Sequence, residues 1–281
     1  MERRQVGVVA ALWRHPVKSM LGEQLAEVEI TERGAIGDRV YALRELATNL
    51  IVSAKKFPRM FEFRAACEGV STPGACPTVC IRLPDGRAIH AEDPDASELI
   101  SAALGKEVRI ERADTAQSER AGIDPGTVFG DVPVENVRPG LTLAVMPDYF
   151  GLAPGSFFDS AVMHVIASGT LRHLSKLAGE ASGFDPRRFR PTIYVETGEG
   201  AGRFVEDEWE GGVLAVGDSV KIAGMRAALR CVMTTHPQDE LGRDYRVLRT
   251  AASSHNANVG VFASVAASGV VRIGDGVFLE K

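Results

Sequence analysis

Cys231 stands in Ala-Leu-Arg-Cys-Val-Met-Thr-Thr-His-Pro-Gln-Asp, at the end of an apolar, strand-like run and ahead of a turn-rich loop that reaches Gly242. A thiol placed where a strand gives way to a loop is held rigidly and can face a cleft. Arg230 beside it favours the thiolate, the form that binds metals and attacks electrophiles. The plain alternative is a buried core cysteine. Further polar clusters argue for a shared site instead.

Lys18-Ser19 follows a strand that Pro16 terminates. The lysine offers a point charge to a phosphate, and the serine adds a hydroxyl and a backbone N–H. In Gly34-Ala35-Ile36-Gly37-Asp38-Arg39 two glycines allow a tight turn, and Arg39 aims a planar fork at an oxyanion, unless Asp38 and Arg39 form only a structural pair. Arg188-Phe189-Arg190-Pro191-Thr192 precedes a strand at Ile193–Glu196; strand alternation predicts Phe189 facing the core with Arg188 and Arg190 facing the other way. Asp159-Ser160 and Ser168-Gly169-Thr170 bracket a strand that leads into a helix, whose N-terminus is a ready anion site.

The chain has 281 residues and a net charge of -5, which argues against a general nucleic-acid binder. Yet basic residues gather at Arg14/Lys18, Arg39, Lys55/Lys56 and Arg187/Arg188/Arg190. Short basic clusters at strand ends in an acidic protein point to a small anionic ligand such as a phosphate ester; solvated surface charge is the alternative. The four cysteines, at 67, 76, 80 and 231, make neither a disulfide framework nor a zinc knuckle. No run approaches the ~20 apolar residues of a membrane helix. The start, Met-Glu-Arg-Arg and Val6 to Trp13, reads as a first strand, so a soluble, cytoplasmic protein without membrane association is expected.

Short β signals must position these residues. Strands are predicted at Val6–Trp13, Leu25–Ile30, Val40–Leu43, Val79–Leu83, Ala88–Ala91, Val108–Glu111, Leu141–Val145, Met163–Ala167, Ile193–Glu196, Val213–Val216, Ala228–Val232, Val261–Ala266 and Val277–Leu279. Pro84-Asp85-Gly86-Arg87 reads as a hairpin turn. Val216-Gly217-Asp218 and Ile273-Gly274-Asp275 read as two corners of one barrel. Helices are predicted at Asp95–Leu104, capped by Asp95, and at Ser168–Ala178, capped by Ser168. The fold class is mostly β with inserted helices (α+β): a β-barrel at 141–281, a β-rich unit at 1–113 and an irregular linker over 114–140, rich in Gly, Pro, Asp and Ser.

Together the clusters resemble the MOSC family, the domain shared by molybdenum cofactor sulfurases and the mitochondrial amidoxime-reducing components with their bacterial relatives. His-Pro-Val-Lys-Ser is similar to the family's Tyr-Pro-Val-Lys-Ser, and Gly34 to Arg39 to its Gly-Leu-x-x-Asp-Arg. Arg-Phe-Arg-Pro, Phe204 to Trp209 and Arg230-Cys231 complete an ordered set of five motifs over nearly the whole chain. The resemblance implies a molybdenum cofactor (Mo-molybdopterin) clasped between a β-rich N-terminal domain and a MOSC barrel. It implies Cys231 as metal ligand and catalytic residue, and Asp159 near the metal as an outer group or proton donor. It assigns the phosphate and pterin to Lys18, Ser19, Arg39 and Arg190, with Ser168 and Thr170 contributing; Ser53, Lys55, Arg188 and Thr192 fall in motifs of the same site. His15 stands for the usual Tyr, Thr192 for Asn, Val52-Ser53-Ala54-Lys55 for Thr-x-Arg, and His236 for an apolar residue.

Three functions remain open on the sequence. The first is an oxidoreductase that removes oxygen from a small N-oxygenated substrate at a Cys231-ligated molybdenum. The second is a cofactor carrier or persulfide-bearing sulfur-transfer protein, and the third a cofactor-free binding domain. No ferredoxin-like domain follows Lys281, so the first needs a separate electron donor of ferredoxin or cytochrome type. No pyridoxal phosphate-binding region, such as sulfurases carry, is evident.

Overall fold

In a computed structural model of the protein, residues 2–69, 78–113, 156–179, 183–198 and 204–281 are described. The predicted linker 114–140 and strand Leu141–Val145 lie outside them. Seven strands close a barrel in the order Ile193–Glu196, Met163–Ala167, Asn258–Ala267, Val220–Leu229, Val213–Val216, Gly276–Glu280 and Arg3–Arg14, which pairs back onto Ile193–Glu196. The architecture is thus mostly β with helices, as the alternating apolar runs imply. The first strand, Arg3–Arg14, therefore belongs to the barrel wall, and Val9 and Leu12 pack with Met163, Ile193, Trp209, Leu214 and Val261. The turns at Gly217 and Gly274 do meet: Gly217 donates its N–H to Gly276 O at 3.0 Å, and its α-carbon lies against Asp275.

Met163–Ala167 is buried on both faces because the barrel interior covers one side and two helices, Ser168–Ala178 and Tyr245–His255, cover the other. Ile166, Leu171, Leu174, Val247 and Ala251 form that outer layer. A second core gathers Val17, Met20, Tyr41, Leu43, Phe61, Phe63, Ile81 and Ile100 beneath the small sheets of the first half. Met233 from the barrel half is part of this second core, and Cys231 packs against it. The loop after Cys231 thus plugs into the neighbouring unit, and the site residues meet at that junction. No helix among the described residues is long and apolar enough to cross a membrane.

Several local expectations change. Ser168 is the first helical residue, with Ala167 in the capping position, and Asp95 makes no side-chain capping bond. Pro186–Phe189 is a 3-10 turn capped by Asp185, so Arg188 and Arg190 do not alternate on a strand; both are buried. The strand predicted at Ala228–Val232 starts earlier, at Val220, and ends at Leu229. The helix Tyr245–His255 and the strand Gly269–Arg272 carry no prediction; the helix begins at a true cap, Asp244 accepting from Arg246 N.

Candidate active site

Two loops from the first half are stitched together by Asp38. Its Oδ1 accepts the N–H of His15 at 2.8 Å, its Oδ2 receives the Arg39 guanidinium, and Arg39 N donates to His15 O at 2.9 Å. Asp38 thus pairs with Arg39 and also braces the two loops against each other. Gly34 is required here: it has φ +89, and a Cβ would lie 2.5 Å from Val162 O. Arg39 reaches across to Arg190 O at 3.4 Å, and its guanidinium lies 5.4 Å from the Phe158 ring centre. Arg190 in turn donates to Met20 O at 2.5 Å. Ser19, Arg39 and Arg190 have φ of 67, 51 and 54, a left-handed backbone that non-glycine residues adopt rarely and at a cost concentrated at functional sites.

Lys18 donates to Asp159 Oδ1 at 2.5 Å and to Phe157 O at 2.9 Å, while Lys55 lies 3.8 Å from Asp159 Oδ2. Burial pushes the Asp159 carboxyl up, but Lys18, Lys55 and Arg39 outweigh it and hold it well below the usual carboxylate range. Half of its side-chain surface still opens outward, so the ion pair is partly screened. Burial lowers Lys18, against the pull of Asp159. Asp159 raises Lys55 against burial, and Cys231 adds to that rise.

Cys231 follows the end of the strand Val220–Leu229 and caps the 3-10 turn Val232–Thr235. Its carbonyl accepts both the N–H of Thr234 at 3.1 Å and the hydroxyl at 3.0 Å. The backbone is fixed, and the thiol is free and partly exposed. Arg230 donates to Phe189 O at 2.7 Å and approaches His164 Nε2 at 3.5 Å, yet its Nε–H is buried without an acceptor. Burial, then Arg39, bring Arg230 down to about 10 although Cys231 and Asp159 oppose them. Burial and Arg39 likewise bring Arg190 down to about 9.

The structure therefore groups Lys18, Arg39, Lys55, Arg190 and Arg230 with Asp38, Asp159 and Cys231, five cations against two carboxylates. Ser19 sits beside Lys18 in the same turn. Ser53 shapes the loop that carries Lys55, its carbonyl accepting Lys56 N and Phe57 N at 3.0 Å each. Thr192 is buried, its N–H on His164 O at 2.8 Å.

Other predicted residues lie in different surroundings. Arg188 spends its fork on the carbonyls of Gly183, Thr234, His236 and Gly242, pinning the loop beyond Cys231. Ser168 and Thr170 belong to a separate polar knot: Ser168 donates to Glu196 at 2.8 Å, and Thr170 bonds Glu206. Glu206 also accepts Ala167 N at 2.7 Å and is pushed up to about 7, by burial above all. In the sequence Arg230 carries only an influence on the thiol, and His164 has no assigned part. Arg230 directly preceding the thiol was the available signal; His164, in a fully apolar-looking strand, offered none.

Family models match the MOSC N-terminal beta barrel domain over residues 6–120 and the MOSC domain over residues 153–278. The chain belongs to the MOSC family. It is 25% identical to mitochondrial amidoxime reducing component 2 of Rattus norvegicus, across 98% of this chain and 84% of that one. It is 23% identical to mitochondrial amidoxime-reducing component 1 of Mus musculus, across 98% and 83%, and 25% identical to component 1 of Homo sapiens, across 84% and 68%. In this MOSC chain the five motifs occupy the junction of barrel and second core, with the exception of Phe204 to Trp209, whose Glu206 anchors the polar knot.

Proposed function

We propose that this MOSC protein is a molybdenum cofactor-dependent oxidoreductase that removes oxygen from a small N-oxygenated substrate, with electrons supplied by a separate protein. The observation that carries it is the surplus of positive charge around one free thiol. Among the described residues no three His, Cys, Asp or Glu side chains are arranged to hold a metal. Among the described residues Cys231 thus offers a metal a single thiolate, which supports a metal that brings other ligands on an organic group whose charge answers five cations.

The residues fit such a group. A phosphate suits Lys18, Arg39 and Arg190, whose charge the two carboxylates only partly offset, and the unpartnered Arg230 Nε–H is a donor awaiting an acceptor. Cys231 provides the soft thiolate that molybdenum accepts. When bound, the cofactor supplies two-electron redox chemistry at the metal. Lys18 and Lys55 hold Asp159 as a half-exposed carboxylate within the cluster, and Arg188 fixes the loop that aims Cys231. Proton transfer in this cluster falls to Lys18, whose pKa burial lowers, since Asp159 stays ionised.

Molybdenum and pterin quantification on protein from a cofactor-competent host tests the reading, combined with amidoxime reduction by a chemically reduced sample. Retained cofactor and turnover support it. Cofactor that exchanges freely without turnover, or a labile persulfide on Cys231, would make the protein a carrier or sulfur-transfer module.

A further inference from the structure

The helix Tyr245–His255 buries Val247, Leu248, Ala251 and Ala252 and leaves Tyr245, Arg246 and Arg249 exposed, with Arg243 exposed just before it. Asp244 is the only acidic residue between positions 243 and 257. Its side chain is 11% exposed and is spent on the helix cap and on Arg246. Asp239 and Glu240, on the loop before, are answered by Arg64 and Arg187. The outward face of this helix is therefore basic and aromatic.

Two observations set it apart from ordinary surface charge. No acid stands in the first turn, where the helix dipole favours one; Arg246 stands there instead. Arg243, moreover, enters no ion pair among the described residues. Its Nη1 donates to Tyr245 Oη at 3.0 Å, and its guanidinium lies 5.7 Å from that ring's centre. Tyr245 is 43% exposed. A tyrosine and an arginine held against each other in the open are the side-chain types that anchor protein interfaces. The face is also bonded to the turn that Cys231 caps. Asp244 N donates to Thr235 O at 3.0 Å, and Arg188 donates to Gly242 O at 2.7 Å.

We infer that this face docks the acidic surface of the electron donor, a small one-electron redox protein. The inference takes its purpose from the oxidoreductase reading and its place from the exposed charge. Replacing an N-bound hydroxyl by hydrogen, with release of water, consumes two electrons and two protons. A one-electron donor must therefore dock twice per turnover and leave oxidised each time. Such a contact has to form fast and release, which opposed charge on a small face supplies.

The test titrates full-length protein from a cofactor-competent host with an acidic [2Fe–2S] ferredoxin, by calorimetry at about 20 mM and about 200 mM salt. Saturable binding that salt weakens is expected. Arg243→Glu should weaken it about tenfold or more at low salt, because it sets like charges opposite each other. A glutamate there agrees with the helix dipole, so the fold should hold. Tyr245→Ala, expected to lose about fivefold or more, is the second variant. Lys106→Glu makes the same change of charge on the exposed surface of the first half and should bind as wild type. Amidoxime reduction driven by reduced methyl viologen should be equal in wild type and both helix variants, while the KM for ferredoxin rises in the variants. Wild type that turns over with neither reductant would sink the oxidoreductase reading, and docking is then judged on binding alone. No saturation by about 1 mM ferredoxin at low salt overturns the inference. So does an equal loss in Lys106→Glu, or a single-stranded oligonucleotide bound as tightly as ferredoxin.

Discussion

Replacing His236 with Leu should remove part of the protein's acid sensitivity. His236 is 4% exposed, both ring nitrogens lack partners, and burial followed by Arg243 brings its pKa down to about 4. An unfolded histidine titrates near 6.5. The folded value is depressed, so the unfolded chain binds the proton first as pH falls. The stability due to a neutral His236 is full above about pH 6.5 and is lost progressively between 6.5 and 4. A shift of roughly 2.5 units is worth on the order of 3 kcal/mol, since each unit is 1.36 kcal/mol. Leucine removes the titrating ring and forfeits no side-chain hydrogen bond, so stability at pH 7.5 should be unchanged or slightly higher. The Arg188 contact survives because it goes to the backbone carbonyl of His236. His15 and His164, also buried and lowered, keep their share of the slope, so the variant flattens it without abolishing it. Urea midpoints at pH 4.5, 5.5, 6.5 and 7.5, with the m-value held constant, measure the effect. A variant whose midpoints fall with acid as steeply as wild type would refute the reasoning.

Glu206→Gln should act with the opposite sign. The raised carboxyl contributes stability below about pH 4.3 that is lost as pH climbs to 7, so the variant should gain relative to wild type at neutral pH in the same urea series. Cys231→Ala should abolish reduction with circular dichroism unchanged, because the thiol packs only at the margin of the second core; undiminished turnover would point to a different metal ligand. Arg39→Ala and Arg190→Ala should each lose cofactor on dialysis, about ten- to a hundredfold in affinity for a charge-assisted contact of about 1.5–3 kcal/mol, whereas unchanged cofactor with a lower Tm would limit Arg39 to bracing Asp38. Asp159→Asn should lower turnover while leaving the shape of the pH–rate profile intact, since the lysines hold the carboxylate ionised across the working range; a flattened profile would restore it as proton donor.

Motifs with a backbone reason were legible in the sequence. Pro84-Asp85-Gly86-Arg87 is a hairpin turn with Gly86 at φ 89, and Gly34 to Arg39 is a tight turn braced by its aspartate, as glycine and Asp placement demand. Met163–Ala167 and Ile193–Glu196 stood out because strands covered on both faces or closed into a barrel read as apolar runs. The helix Tyr245–His255 did not, because its buried face of Val247, Leu248, Ala251 and Ala252 is small and its outer face is Arg- and Ser-rich. Arg188 misled for a related reason. A run of arginines beside a phosphate-type motif reads as ligand-binding, yet this one is taken by four carbonyls, three of them from the distant loop of Thr234, His236 and Gly242. No local pattern encodes such a convergence.

The cluster around Cys231 is costly for a protein to keep for its own stability. Three residues hold a left-handed backbone without being glycine, and five cations share two carboxylates. Arg190 and Arg230 are both pushed below the usual guanidinium range by burial and by neighbouring positive charge. Strain of this kind persists where surrounding structure over-determines it, here through Asp38, which ties two loops, and Arg188, which pins a third. An unpartnered buried N–H on Arg230 adds to the cost. Packing alone would favour replacing these residues with apolar ones of similar size. The proposed cofactor would supply an anion that offsets this charge around an accessible thiol, and the brace residues would hold its site open beforehand.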